Sequence, residues 1–238
     1  MDLRSLFCKI NREMNSEKLL ELQREMPDGV QLIAVSKFKP ASDVQLAYDL
    51  GQRHFGENHA LEMKQKHEDL PKDIKWHFIG HLQTNKIKYI IPFVHLIHSI
   101  DSLKLLQDID KQALKYNREV DCLLQFHIAT EESKFGFSLN ECEKMLQSPE
   151  FASLKNVRIC GVMGMASLTD DRQQIRQEFH RLHEIFDLLK SEYFAASDFF
   201  KEISMGMTDD YTIAILEGST MVRIGSAIFG ARDYGIEN

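Results

Sequence analysis

The sequence predicts an α/β fold, a single (β/α)8 barrel of the TIM type. Three observations carry this. Short apolar runs recur at eight places, as in strands buried on both faces. Amphipathic helical patterns separate most of them, and strands alternating with helices imply parallel βαβ units. The length, 238 residues with 43% hydrophobic side chains, suits one barrel with a large core. No linker, low-complexity tract or repeat divides the chain, so a single domain over 1–238 is expected. An open doubly wound sheet would normally need a Gly-rich fingerprint after the first strand, where Ser36-Lys37-Phe38-Lys39-Pro40 stands instead.

The elements follow in order. Residues 1–30 read as a helical segment packing on the barrel, with Leu3, Leu6, Phe7, Ile10 and Met14 near helical spacing and Pro27-Asp28-Gly29 as the stop. Strand one is predicted over 31–38. A helix opens at Ser42 or Asp43, buries Val44, Ala47 and Tyr48, and ends at Gly51. A very short strand at 54–58, a polar helix at 60–67 and a strand at 75–79 come next. Residues 81–90 read as a basic helix. Strand four covers 96–100, and Asp101-Ser102 caps a helix over 103–116. Strand five spans 121–128, followed by a loop with Glu131, Glu132, Ser133 and Lys134 and a helix at 139–147. Strand six is 157–165. Ile175, Phe179, Leu182, Ile185, Phe186 and Leu189 mark one face of a long helix over 171–194. Strand seven is 202–205, and Thr208 caps a helix that ends near Gly218. Strand eight is 220–224, and Gly225-Ser226 opens a short helical turn over 227–229.

The charge balance, 29 basic against 36 acidic residues, argues against a general nucleic-acid binder, which needs a basic face. Cys8, Cys122, Cys142 and Cys160 form no C-x-x-C pair and read as reduced, mostly buried thiols. No secretory h-region and no apolar run of about 20 residues is present, so a soluble, cytoplasmic protein is expected, with no membrane contact.

In such a barrel the chemistry sits at the C-terminal ends of the strands. Lys37 falls there after strand one, at the end of Leu32-Ile33-Ala34-Val35. On this segment alone it reads as a lysine that snorkels to solvent, although a buried, neutral amine could attack a carbonyl. The loops after strands seven and eight are the common phosphate site of this fold. There Gly206 and Gly225 let backbone N–H groups approach an anion, and Ser204, Thr208 and Ser226 add hydroxyls. Strand one adjoins strand eight in a closed barrel, so a lysine lies beside a phosphate cradle, the arrangement of a pyridoxal phosphate Schiff base. Lys39 competes for the role, on the same side by alternation but further out and abutting Pro40.

Ala34-Val35-Ser36-Lys37, Phe55-Gly56-Glu57-Asn58, Trp76-His77-Phe78-Ile79-Gly80-His81-Leu82-Gln83, Gly161-Val162-Met163, Ser204 to Asp210 and Gly218 to Gly230 together resemble the pyridoxal phosphate homeostasis proteins, relatives of the alanine racemase N-terminal barrel. The resemblance spans roughly residues 30–234. It implies pyridoxal 5'-phosphate as cofactor, Lys37 as its lysine, and Arg223 facing the pyridine nitrogen. It also implies phosphate contacts from Ser204, Gly206, Thr208, Gly225 and Ser226, with Asn58 near the ring. Phe38 stands where the family commonly has threonine, and Phe126-His127-Ile128 where it often has Ile-Asn-Ile.

An arginine opposite the pyridine nitrogen keeps it unprotonated and weakens the ring as an electron sink. Racemisation also needs an acid/base group on each face of the substrate. In alanine racemases the second is a tyrosine of an additional domain, whereas this sequence ends at Asn238 directly after the barrel, and Tyr234 reads as packing or solvent-facing. The expectation is a cofactor holder in pyridoxal phosphate homeostasis with little or no catalysis; an amino-acid racemase is the alternative. Partners implied are pyridoxal phosphate and apo-enzymes that use it, with the barrel a monomer or weak dimer. His77, His81, His95 and His98 lack a ligand spacing such as H-E-x-x-H, so no metal is expected. Lys134 could accept cofactor on its way out but reads more simply as a solvated loop lysine.

Overall fold

The run Leu32-Ile33-Ala34 is enclosed on both faces, and the strand that contains it, Gln31–Val35 (β1), is the seam at which the sheet closes. In the computed structural model, which describes residues 14–130 and 135–230, β1 pairs in parallel with His54–Glu57 (β2) on one side and Met221–Ile224 (β8) on the other. Between them run Lys75–Phe78 (β3), Leu96–Ile100 (β4), Val120–Gln125 (β5), Val157–Met163 (β6) and Glu202–Ser204 (β7), a closed barrel in chain order. The expected fold class is the one observed. Residues 1–13, with Cys8, and residues 131–134 and 231–238, with Lys134 and Tyr234, lie outside the described residues.

Two cores result. The larger lies between the sheet and its helices and includes Trp76, Phe55, Phe78 and Phe179, all fully enclosed. The smaller joins Ile33, Leu96, Leu123, Cys160, Met163 and Met221, from strands distributed round the barrel. The helices that cover the sheet are Ser16–Glu25 (α1), Ala41–Asp49 (α2), Ala60–Asp69 (α3), Ile87–Ile90 (α4), Leu103–Lys115 (α5), Leu139–Leu146 (α6), Pro149–Ala152 (α7), Arg172–Glu192 (α8), Tyr211–Leu216 (α9) and Ser226–Phe229 (α10). On α8 the buried positions Ile175, Phe179, Leu182, Ile185 and Leu189 recur at three and four residues, one apolar stripe against the sheet. The Asn15 N–H, just before α1, donates to the Ile228 carbonyl at 2.7 Å and pins that helix to α10.

Several elements differ from their sequence reading. β1 stops at Val35, because Ser36 to Lys39 form a turn. Residues 81–90 are not one helix but an extended stretch, a 3-10 turn Thr84–Lys86 and the short α4; burial of Leu82 holds the chain extended there. Thr208 does not cap the helix after β7. That helix begins at Tyr211, and Asp210 Oδ1 accepts the Met207 N–H instead. α7 has no counterpart in the sequence reading; Ser148 caps it and Pro149 takes its first position. Cys122, Cys142 and Cys160 are buried free thiols, as expected. Among the described residues no helix is long and apolar enough to cross a membrane.

Candidate functional site

Lys37 sits at the apex of the turn beyond β1, half-buried. The Lys39 N–H donates to the Ser36 carbonyl at 3.1 Å, and Phe38 takes φ 61°, a left-handed conformation costly for a bulky residue. Both chain neighbours of Lys37 are held. The Phe38 N–H donates to Glu62 Oε1 at 2.7 Å, and Ser36 Oγ–H donates to Glu57 Oε1 at 2.7 Å. Lys66 Nζ joins the two, donating to the Ser36 carbonyl, Glu57 Oε1 and Glu62 Oε1, each at 2.7 Å. Glu57 and Lys66 are buried, a costly pair unless its hydrogen bonds are made. Burial pushes the Glu57 carboxyl up to about 7, against the pull of the Lys66 ammonium. Lys37 and Lys39 lie past the end of the strand, so strand alternation does not relate them.

Arg223 lies on β8, where Ile33 of β1 is its register partner. Its guanidinium is buried and donates to Ser204 Oγ at 2.6 Å and to the Gly164 carbonyl at 3.0 Å. Burial draws it down to about 10, with Asp210 opposing, which leaves it charged at neutral pH. These bonds use two of the five N–H donors of the fork.

The loops after β7 and β8 meet. Ser226 Oγ and Thr208 Oγ1 are 3.0 Å apart, so the hydroxyl expected to cap a helix faces the neighbouring loop instead. Gly206 has φ +92°, and a Cβ there would lie 2.6 Å from the Ala214 Cβ. A Cβ on Gly225 would press on the Val35 carbonyl at 3.1 Å, so the β8 loop packs on the end of β1. Asn58 follows β2; its Oδ1 is buried with no hydrogen-bond partner among the described residues. Ser204 is placed differently from the other hydroxyls. It is fully buried, and its Oγ contacts Arg223 and His98 Nδ1, the latter at 2.8 Å.

That last contact opens a column of imidazoles. His98 Nε2 lies 2.9 Å from His77 Nδ1, and His77 Nε2 lies 2.9 Å from His54 Nδ1. Burial holds His98 and His77 well below the usual imidazole value and brings His54 down to about 4, so all three are neutral at pH 7.

Lys37, Arg223, Gly206, Thr208, Gly225 and Ser226 thus belong to strand ends or loops at one mouth of the barrel, with Asn58 one strand further. The sequence reading missed Glu57, Glu62 and Lys66 as the grip on the lysine turn. The signal was present: a Glu62–Lys66 pair four residues apart on α3, facing a glutamate at the end of β2.

The sequence matches the alanine racemase N-terminal domain family over residues 10–233. A pyridoxal phosphate homeostasis protein of Pasteurella multocida is 36% identical over 227 residues, covering 93% of this chain and 95% of that protein. One of Aquifex aeolicus is 38% identical over 206 residues, covering 86% and 88%. The structure of PipY from Synechococcus elongatus with PLP bound superposes with a TM-score of 0.81 at 34% identity, over 90% of this chain and 99% of that one. The chain belongs to the alanine racemase N-terminal domain family, on the branch of the pyridoxal phosphate homeostasis proteins.

Proposed function

We propose that the protein binds pyridoxal 5'-phosphate at the C-terminal mouth of the barrel, as a Schiff base on Lys37. Its role is to keep that cofactor in balance in the cytoplasm, with little or no catalysis of its own and with cofactor-requiring apo-enzymes as recipients. The observation that carries this is the pairing of a buried, charged Arg223 on β8 with a lysine turn at the end of the adjoining β1. The residues fit the cofactor group by group. Lys37 offers an amine to an aldehyde, and Arg223 offers N–H donors to a ring nitrogen. The Gly206–Thr208 and Gly225–Ser226 loops offer backbone and hydroxyl donors to a phosphate. Asn58 brings an unpartnered acceptor. When bound, the cofactor supplies a carbonyl carbon that amines attack reversibly.

Each residue then has a defined task. The Glu57–Lys66–Glu62 grip fixes the backbone on either side of Lys37. Arg223 stays protonated and cannot hand a proton to the ring. Ser204, committed to Arg223 and His98, orients the guanidinium rather than joining the phosphate cradle. Addition of pyridoxal phosphate to the purified protein should produce a visible imine band, lost on borohydride reduction and absent in Lys37→Ala. A colourless protein that takes up no cofactor would falsify this reading. Solvent-deuterium exchange at the α-carbon of a panel of amino acids tests the catalytic side; rapid exchange with turnover would make the protein a racemase instead.

A further inference from the structure

We infer that His54, His77 and His95 form a binding site for a divalent transition-metal ion of the zinc class at the N-terminal mouth of the barrel, opposite the Lys37 face. His54 opens β2, His77 is the third residue of β3, and His95 immediately precedes β4. Three successive parallel strands thus deliver one imidazole each to the same end of the barrel. One ligand nitrogen from each lies within 4.8 Å of the other two.

The chemistry of the three groups suits a metal. Zinc-class ions take neutral imidazole nitrogen, whereas magnesium and calcium prefer oxygen. A neutral imidazole offers one lone pair; His54 Nδ1 and His77 Nε2 share a hydrogen bond, so binding requires the donor of the two to carry its proton on the other ring nitrogen instead. The geometry needs a small adjustment. Zinc–nitrogen bonds of about 2.1 Å at tetrahedral angles separate ligand atoms by roughly 3.4 Å. His54 Nδ1 and His77 Nε2 are 2.9 Å apart and would open slightly. The His95 ring stands edge-on to both, its centroid 5.7 Å from that of His54 and 5.2 Å from that of His77, and it is only half-buried, so it can swing in. The nearby charges divide. Lys75 and Arg118 oppose a cation, and Asp121 beside His95 favours one while pairing with Arg158 at 2.7 Å. A cavity of about 390 Å³ adjoins His95 and is lined also by the acidic Asp121 and Glu202 and the basic Arg158 and Lys201.

The column described above supplies what metal-binding histidines usually have, a partner on the other ring nitrogen. With a metal on His77 Nε2, the His77 proton sits on Nδ1 and donates to His98 Nε2, and the His98 proton then donates to Ser204 Oγ. Without a metal the column can run in either direction. The ligands come from separate βα units, which is why no short ligand spacing marks them.

The test uses full-length, tag-free protein dialysed against chelator and titrated with Co²⁺, then with Zn²⁺ as competitor. The expected result is one saturable equivalent with the visible spectrum of a nitrogen-ligated cobalt, displaced by zinc. Binding should weaken at least ten-fold in His95→Ala and in His54→Ala, and stay unchanged in His81→Ala, whose imidazole lies 3.4 Å from Asp101 instead. If wild-type protein gives no saturable cobalt signal, or if both variants bind like wild type, the site does not exist. The wild-type titration decides even where a variant fails to fold, and it does not depend on the pyridoxal phosphate reading.

Discussion

The placement of Lys37 is set through its two chain neighbours. The bonds on either side of it, from Ser36 and Phe38, end on two glutamates that share one buried lysine. Lys66→Met removes the only cation in this group and leaves Glu57 buried. Breaking such a pair from one side costs about 3–5 kcal/mol. The cost should depend on pH, because the Glu57 carboxyl already sits near 7 and rises further once the ammonium is gone. Urea unfolding at about pH 8 should show the full loss and at about pH 6 a smaller one, since protonation then removes the unpaired charge. Equal losses at both would mean that Glu57 is not the group left stranded. At this scale the sequence revealed Lys37 and Arg223, whose types and strand positions announce them. It did not reveal that Ser204 serves Arg223, because its other partner, His98, is 106 residues away. A hydroxyl at a strand end looks the same in sequence whether it faces a ligand or the barrel interior.

The strands were legible as elements, and their ends were not. Apolar runs located all eight, yet β1, β5 and β6 each stop two or three residues earlier than read: past β5 the buried Phe126 and Ile128 continue the apolar run into the loop, whereas past β1 and β6 the exposed Phe38 and Met165 look like strand residues only in sequence. Thr208 shows the same limit for helices. Its hydroxyl meets Ser226, and the helix begins only at Tyr211, after Asp210, whose carboxylate accepts the Met207 N–H and caps no helical N–H. A further contact invisible in sequence is the approach of β6 to β7. Gly161 has φ +152°, and a Cβ there would lie 1.8 Å from the Glu202 carbonyl oxygen. Gly161→Ala cannot be relieved by a rotamer change, because the obstacle is backbone. It should destabilise the fold by about 3 kcal/mol or more, through overpacking added to backbone strain. Thermal denaturation checks this; a wild-type melting temperature would mean that the two strands part easily.

For the whole molecule the buried imidazoles dominate the response to acid. His54 is brought down to about 4, and His77, His98 and His95 are lowered too, all primarily by burial. A group lowered in the folded state binds its proton more readily when the chain unfolds, so stability is present above the ordinary imidazole value and is lost as pH falls below it. Glu57 works the other way, since its raised value adds stability as pH falls from about 7. His67 is lowered by burial as well, while Asp43 and Asp210, raised by burial from the lower carboxylate range, bear mainly on more acid pH, so a net loss is expected. The melting temperature should drop by several degrees between about pH 7.5 and about pH 5, by calorimetry. An unchanged value would mean that the imidazoles are charged in the fold or open readily to water. The column from His54 to Ser204 also bears on how this barrel can change over generations. Replacing His77 alone strands a nitrogen on His54 and another on His98, so neighbouring positions along the column cannot vary independently. Substitutions there are expected to arrive together or not at all, and related barrels should carry either the full set or a wholly apolar one.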